Sequence, residues 1–152
     1  MPIAPLETGM KAPNFRLKDQ NGREINLSDF KGKQSLVLIF YPGDLTPGCT
    51  MQLCAVRDDW SKFRANEIMV FGVNHADGES HKKFIKKYTF PFPLLIDAGK
   101  KVSARYGATK PMFKATVIKR SVVGIDKQGI IRYLKLGMPK NSEILKAMQE
   151  KK

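Results

Sequence analysis

The stretch Ser35-Leu36-Val37-Leu38-Ile39-Phe40-Tyr41-Pro42-Gly43-Asp44-Leu45-Thr46-Pro47-Gly48-Cys49-Thr50-Met51-Gln52-Leu53-Cys54 decides the fold. Ser35 to Tyr41 is a nearly continuous apolar run, the pattern of a strand buried on both faces. Pro47 suits the first turn of a helix. Leu53, Val56, Trp60 and Phe63 then recur at helical spacing, which predicts a helix from Pro47 to about Phe63. A buried strand that passes through a short loop into a helix is the building unit of an α/β sheet. Sites in such sheets favour the carboxyl ends of the strands, where Pro42 to Cys54 falls.

The same alternation continues on both sides. Asn14 to Leu17 and Glu24 to Leu27 flank Asp19-Gln20-Asn21-Gly22, a strong N-terminal hairpin signal. Ser28-Asp29 can cap a short helical turn ending near Gly32. Downstream, Ile68 to Val73 reads as a second buried strand and Ser80 to Tyr88 as a helix. Pro93 to Ile96 is a third strand, and Lys100 to Tyr106 a helix stopped at Gly107. Val117-Ile118 and Ser121 to Ile125 form one strand region. Asp126-Lys127-Gln128-Gly129 turns the chain, and Ile130 to Leu136 returns antiparallel. Ser142 to Gln149 is a closing helix. The expectation is an α/β fold with a central mixed sheet, formed by residues 1–152 as a single domain.

Composition excludes several classes. Hydrophobic residues make up 42% and charged residues 27% of the chain, an ordinary globular mixture and not a disordered one. No stretch approaches the roughly 20 apolar residues of a membrane span, so no membrane partner is expected. Met1 to Glu7 lacks a basic segment followed by an apolar one, which is not a secretory signal; the expected location is the cytoplasm. The net charge of +13 raises the question of polyanion binding. The basic residues are spread in pairs, however, such as Lys82-Lys83, Lys100-Lys101, Lys119-Arg120 and Lys151-Lys152. No nucleic-acid-binding signature accompanies them, so a solvated basic surface is expected and no specific nucleic acid.

Chemistry points to the two cysteines, Cys49 and Cys54. A secreted disulfide scaffold uses more. A closed zinc site takes four ligands, and His75 and His81 sit in separate segments, so neither metal nor cofactor is expected. Both histidines are expected to be capping or surface residues. Cys49 falls in the first turn of its helix, where unpaired N–H groups and the helix dipole favour an anion. Thiolate is the nucleophilic form of cysteine. The same N–H groups can hold the oxygens of a bound substrate. Thr46 can offer a hydroxyl to the thiolate or the substrate, while Pro42 and Pro47 stiffen the loop. If both cysteines stay helical, their Cα atoms lie roughly 8.6 Å apart. A bond between them then requires the helix to unwind locally.

Pro42, Thr46 and Cys49 are similar to the Pro-x-x-x-Thr-x-x-Cys motif of the peroxiredoxins. The spacing of Cys49 and Cys54 resembles the Q subgroup, also called bacterioferritin comigratory protein. Gly9 to Phe15, Ser80-His81, Phe92 to Asp97 and Tyr106-Gly107 resemble further landmarks, so the likeness covers nearly the whole chain. It implies a thioredoxin-like fold and reduction of hydrogen peroxide and organic hydroperoxides. It further implies that Cys49 becomes a sulfenic acid, that Cys54 resolves it to an intramolecular disulfide, and that a thioredoxin or glutaredoxin-like dithiol protein recycles it. The family's active-site arginine aligns with Arg120, with Lys119 and Arg132 as neighbouring candidates. Gln52 stands where the family usually carries Glu, which is expected to weaken a network to Arg57. Val56 replaces an aromatic residue, and Lys110 to Lys119 departs from the family pattern. A monomer or weak homodimer is expected.

Two other classes compete. A thiol–disulfide oxidoreductase shares the fold, but usually presents Cys-x-x-Cys and not the wider spacing seen here. A nucleic-acid-binding or holdase-like protein is motivated by charge alone, and its binding falls steeply with salt.

Overall fold

The computed structural model describes residues 5–149. The basic pair Lys151-Lys152 and the first part of the Met1-to-Glu7 reading lie outside the described residues. Strand β1 (Arg16–Asp19) and strand β2 (Glu24–Asn26) make the N-terminal hairpin, with Leu17 opposite Ile25. Gly22 closes its turn at φ +80°, a conformation glycine adopts without steric cost. The first strand starts two residues later than the sequence pattern implies. A 3-10 turn at Leu27–Phe30 follows.

Strand β3 (Ser35–Phe40) leads into helix α1 (Pro47–Asp58). The remaining elements are α2 (Trp60–Ala65), β4 (Ile68–Asn74), α3 (Gly78–Tyr88), β5 (Leu94–Ile96), α4 (Lys101–Arg105), β6 (Thr109–Met112), β7 (Ala115–Ile118), β8 (Ser121–Ile125), β9 (Ile131–Leu136) and α5 (Asn141–Gln149). The main sheet has the order β2-β1-β5-β4-β3-β8-β9. The pairs β3–β4 and β4–β5 are parallel, and β3–β8 and β8–β9 antiparallel, so the sheet is mixed as expected.

Strand β3 and the residue after it divide the core. Val37, Ile39 and Tyr41 point to one face, packed with Leu53, Val56, Phe63, Phe84 and Ile144 from the helices. Leu36, Leu38 and Phe40 point to the other, with Phe71, Val73, Leu95 and Tyr106. Successive side chains of a strand alternate between faces, which is why an unbroken apolar run marks a strand covered on both sides. Each fully buried side chain of this size contributes about 1.5–3 kcal/mol.

Two expectations change. The helix read as continuous from Pro47 to Phe63 breaks at Asp59. The amide of Asn141 at the start of α5 donates 2.9 Å bonds to Ala55 O and to the Asp59 carboxylate, pinning the break. Val117-Ile118 does not belong to the same strand as Ser121 to Ile125. It lies in β7, which pairs with β6 in a separate two-stranded hairpin. Lys119-Arg120 is the bend between that hairpin and β8. Among the described residues no helix is long and apolar enough to cross a membrane.

Candidate active site

Thr46 precedes α1 with extended backbone, Pro47 opens the helix, and Cys49 sits in its first turn. The first helical bond there runs from Thr50 N to Thr46 O at 2.9 Å. The N–H groups of Gly48 and Cys49 therefore have no acceptor one turn back within the helix. Cys49 is fully buried within the apolar cluster between α1 and the sheet. Cys54, on the same helix, is half-buried and packs against that cluster. Both thiols are free.

Arg120 reaches this thiol from the bend before β8. Its Nη1 lies 3.4 Å from Cys49 Sγ and donates a 2.9 Å bond to Gln52 Oε1. The arginine backbone is fixed by Gly137 N donating to Arg120 O at 2.8 Å. Gly48 makes room for the guanidinium, because a Cβ at that position would stand 3.0 Å from Arg120 Nη2. The neighbouring candidates are not in this place. Arg132 pairs with Asp126, and Lys119 lines a separate cleft with Leu6, Tyr106 and Leu134.

Gln52 is almost fully buried. The expected network from it to Arg57 is replaced by the bond to Arg120. Arg57 instead donates to Tyr88 O at 2.7 Å and pairs with Asp58. The signal for Gln52 was available: it lies three residues after Cys49, on the same helix face. The hydroxyl of exposed Thr46 donates to Gly43 O at 2.8 Å. Its proton is thus engaged, and what it offers is a pair of acceptor lone pairs. Pro42 is exposed at the start of the loop.

Asp44, in the middle of that loop, is the residue sequence reading passed over. It accepts bonds from Tyr41 Oη at 2.6 Å, Asn74 Nδ2 at 3.2 Å, Ser80 Oγ at 2.7 Å and His81 Nδ1 at 2.7 Å. Burial raises the Asp44 carboxyl, but bonds from His81, Tyr41 and Ser80 outweigh it and hold the group below its ordinary range. Burial, followed by the charge of Asp44, pushes the Tyr41 phenol well above its ordinary value, so it stays a donor. His81 corrects the expectation of a capping or surface residue. It is fully buried, and its Nε2 faces Leu95 O at 2.9 Å. Asp77 caps α3 in its place, accepting from Ser80 N. His75 is exposed, as expected.

Fold and site together describe a thioredoxin-like chain that sets a cysteine at a helix N-terminus against an arginine. The sequence pattern of the AhpC/TSA family matches residues 8–134, and the chain belongs to that family. It is 46% identical over 129 residues to the chloroplastic peroxiredoxin Q of Oryza sativa subsp. japonica, covering 85% of this chain and 58% of that protein. It is 43% identical over 132 residues to the chloroplastic peroxiredoxin Q of Populus jackii, covering 87% of this chain and 61% of that protein. The chain thus spans about three-fifths of the length of these relatives. Among solved structures, peroxidoxin BcpB of Mycobacterium tuberculosis superposes with a TM-score of 0.87 at 27% identity, over 95% of this chain and 97% of that one. A cysteine-to-serine variant of PrxQ from Xylella fastidiosa gives 0.85 at 26% identity, over 94% and 95%. The resemblance to the Q subgroup and the thioredoxin-like fold are both upheld. The cytoplasmic expectation is corrected: the curated relatives are named as chloroplastic proteins.

Proposed function

We propose that this chain is a thiol peroxidase that reduces hydrogen peroxide and organic hydroperoxides at Cys49. The observation that carries the reading is the 3.4 Å approach of Arg120 Nη1 to Cys49 Sγ at the N-terminus of α1. Arg120 and the free N–H groups of Gly48 and Cys49 favour a thiolate and withdraw electron density from a peroxide lying against it. Thr46 accepts a bond from the peroxide O–H, and Pro42 and Pro47 limit the loop's freedom.

The thiolate attacks one peroxide oxygen. An S–O bond forms, the O–O bond breaks, and the other oxygen leaves as an alcohol or water after taking a proton. Sulfur is oxidised by two electrons to the sulfenic acid. The Cys54 thiolate then attacks Cys49 Sγ, an S–S bond forms, and hydroxide leaves and is protonated to water. Both cysteines lie within α1, so this step unwinds the start of the helix. A thioredoxin or glutaredoxin-like dithiol donor exchanges with the disulfide and restores both thiols. Residues 1–152 act as one domain, as a monomer or weak homodimer.

The test is intact mass after one equivalent of hydrogen peroxide and a quench within a second. The expected change is a loss of about 2 Da, absent in Cys49→Ser, and a gain of about 16 Da in Cys54→Ser. An unchanged mass over minutes at micromolar protein rejects the peroxidase and moves a disulfide-exchange role ahead.

A further inference from the structure

We propose that Asp44 is a positioning residue: it clamps the loop ahead of Cys49 and so sets how often the sulfenic acid is closed by Cys54 and not oxidised again. The inference rests on the peroxidase reading above.

The geometry of the clamp is specific. The loop between β3 and α1 carries one carboxylate, and four donors converge on it from separate elements. Tyr41 follows β3, Asn74 ends β4, and Ser80 and His81 stand in the first turn of α3. His81 passes the tie onward to Leu95 of β5. Asp44 therefore pins the loop to the carboxyl ends of three adjacent parallel strands. Buried charge-assisted bonds of this kind are costly to leave unmade.

A force opposes the clamp. Leu45, the next residue, is held at φ +63° although it is not glycine, and it is exposed. A left-handed backbone at leucine is strained and persists only where its surroundings impose it. The loop thus has two states: clamped and strained, with α1 helical to Pro47, or released, with the start of α1 free to unwind. Only the released state brings Cys54 to Cys49. In the clamped state a second hydroperoxide can oxidise the sulfenic acid to sulfinic acid, transferring one oxygen as its O–O bond breaks and leaving as alcohol or water.

Ser80→Ala removes one donor at the half-buried edge of the cluster, and Tyr41→Phe removes another while keeping the ring. Leu45→Asn acts in the opposite direction, because asparagine tolerates the left-handed region. Each protein is given excess hydrogen peroxide, and the ratio of sulfinic product (gain of about 32 Da) to disulfide (loss of about 2 Da) is read by mass. We expect the ratio to fall about tenfold for each lost donor and to rise for Leu45→Asn. Amide exchange of residues 50–54 in the reduced proteins is the second readout. It is expected to rise about tenfold in Ser80→Ala while the amides of β3 stay protected. A purely structural role would lower the melting temperature and leave the product ratio in place; that result overturns the proposal. A wild type inert to peroxide sinks the peroxidase reading and the partition with it. Unchanged exchange in Ser80→Ala separately rejects the clamp.

Discussion

Arg120 and Cys49 stand 71 positions apart in sequence, yet a guanidinium nitrogen of the first lies 3.4 Å from the sulfur of the second. The same nitrogen is held by Gln52, one turn along α1 from the cysteine. Arg120→Met removes this donor while keeping much of the side-chain volume. The rate of sulfenic acid formation, followed by rapid-quench mass in Cys54→Ser, is expected to fall about 10²-fold or more. Arg120→Lys should recover little of it, since a lysine places one mobile charge where the fork is planar and preorganised. A loss below about threefold would mean that Arg120 is a bystander.

Gln52→Leu leaves the arginine donor without its acceptor in a nearly buried place. Denaturant unfolding should show a loss of about 1–3 kcal/mol, together with slower peroxide reaction. Gln52→Glu supplies a charged acceptor and should keep stability, but it draws the guanidinium toward itself and away from the thiolate. Stability and rate therefore separate in this pair of variants, and a common effect on both would contradict the assignment.

Gly48→Ala tests the clearance for Arg120. The added Cβ stands 3.0 Å from a guanidinium nitrogen, the far end of a flexible side chain, so the arginine can move aside. Replacing glycine in a helical turn stabilises by about 0.4–1 kcal/mol. The melting temperature is thus expected to hold or rise while the peroxide rate falls. A falling melting temperature would show that the arginine is too rigidly held to yield.

Asp44 gives a pH dependence of defined sign. Its folded carboxyl is held below the ordinary range by its donors. Its contribution is therefore complete above the unfolded-state value of about 3.9. It is lost as pH falls through the lower folded value. Thermal unfolding of wild type should lose this stability on acidification below about pH 4. Asp44→Asn, which cannot ionise, should be less stable at neutral pH and show a flatter acid limb. Parallel limbs for the two proteins would mean that Asp44 does not carry the linkage.

Much of the architecture was legible in the chain because its signals are local. Ser35 to Tyr41 has to be covered on both faces wherever it goes, and Pro47 followed by spaced apolar residues has to be a helix. Cys49 at the start of that helix follows from those two facts. The break at Asp59 was not legible, since an amide from α5 pins it. The β6–β7 hairpin was missed because its pairing leaves the main sheet, and Lys110, Met112 and Lys114 face solvent with no alternation to read. His81 looked like a surface residue because its partner, Asp44, lies 37 positions away.

Local pattern along the chain is enough to specify the strand–loop–helix unit, the place of Cys49 at a helix N-terminus and the presence of a second thiol on the same helix. These depend on periodicity and spacing within about 20 residues. What surrounds the thiol depends on segments that meet only in the assembled sheet. Arg120 meets Cys49 because β8 pairs with β3, and Asp44 meets His81 because α3 packs across the ends of β4 and β5. Contacts between charged and polar groups on distant segments leave no periodic trace, since each is satisfied by geometry that exists only after the sheet has assembled.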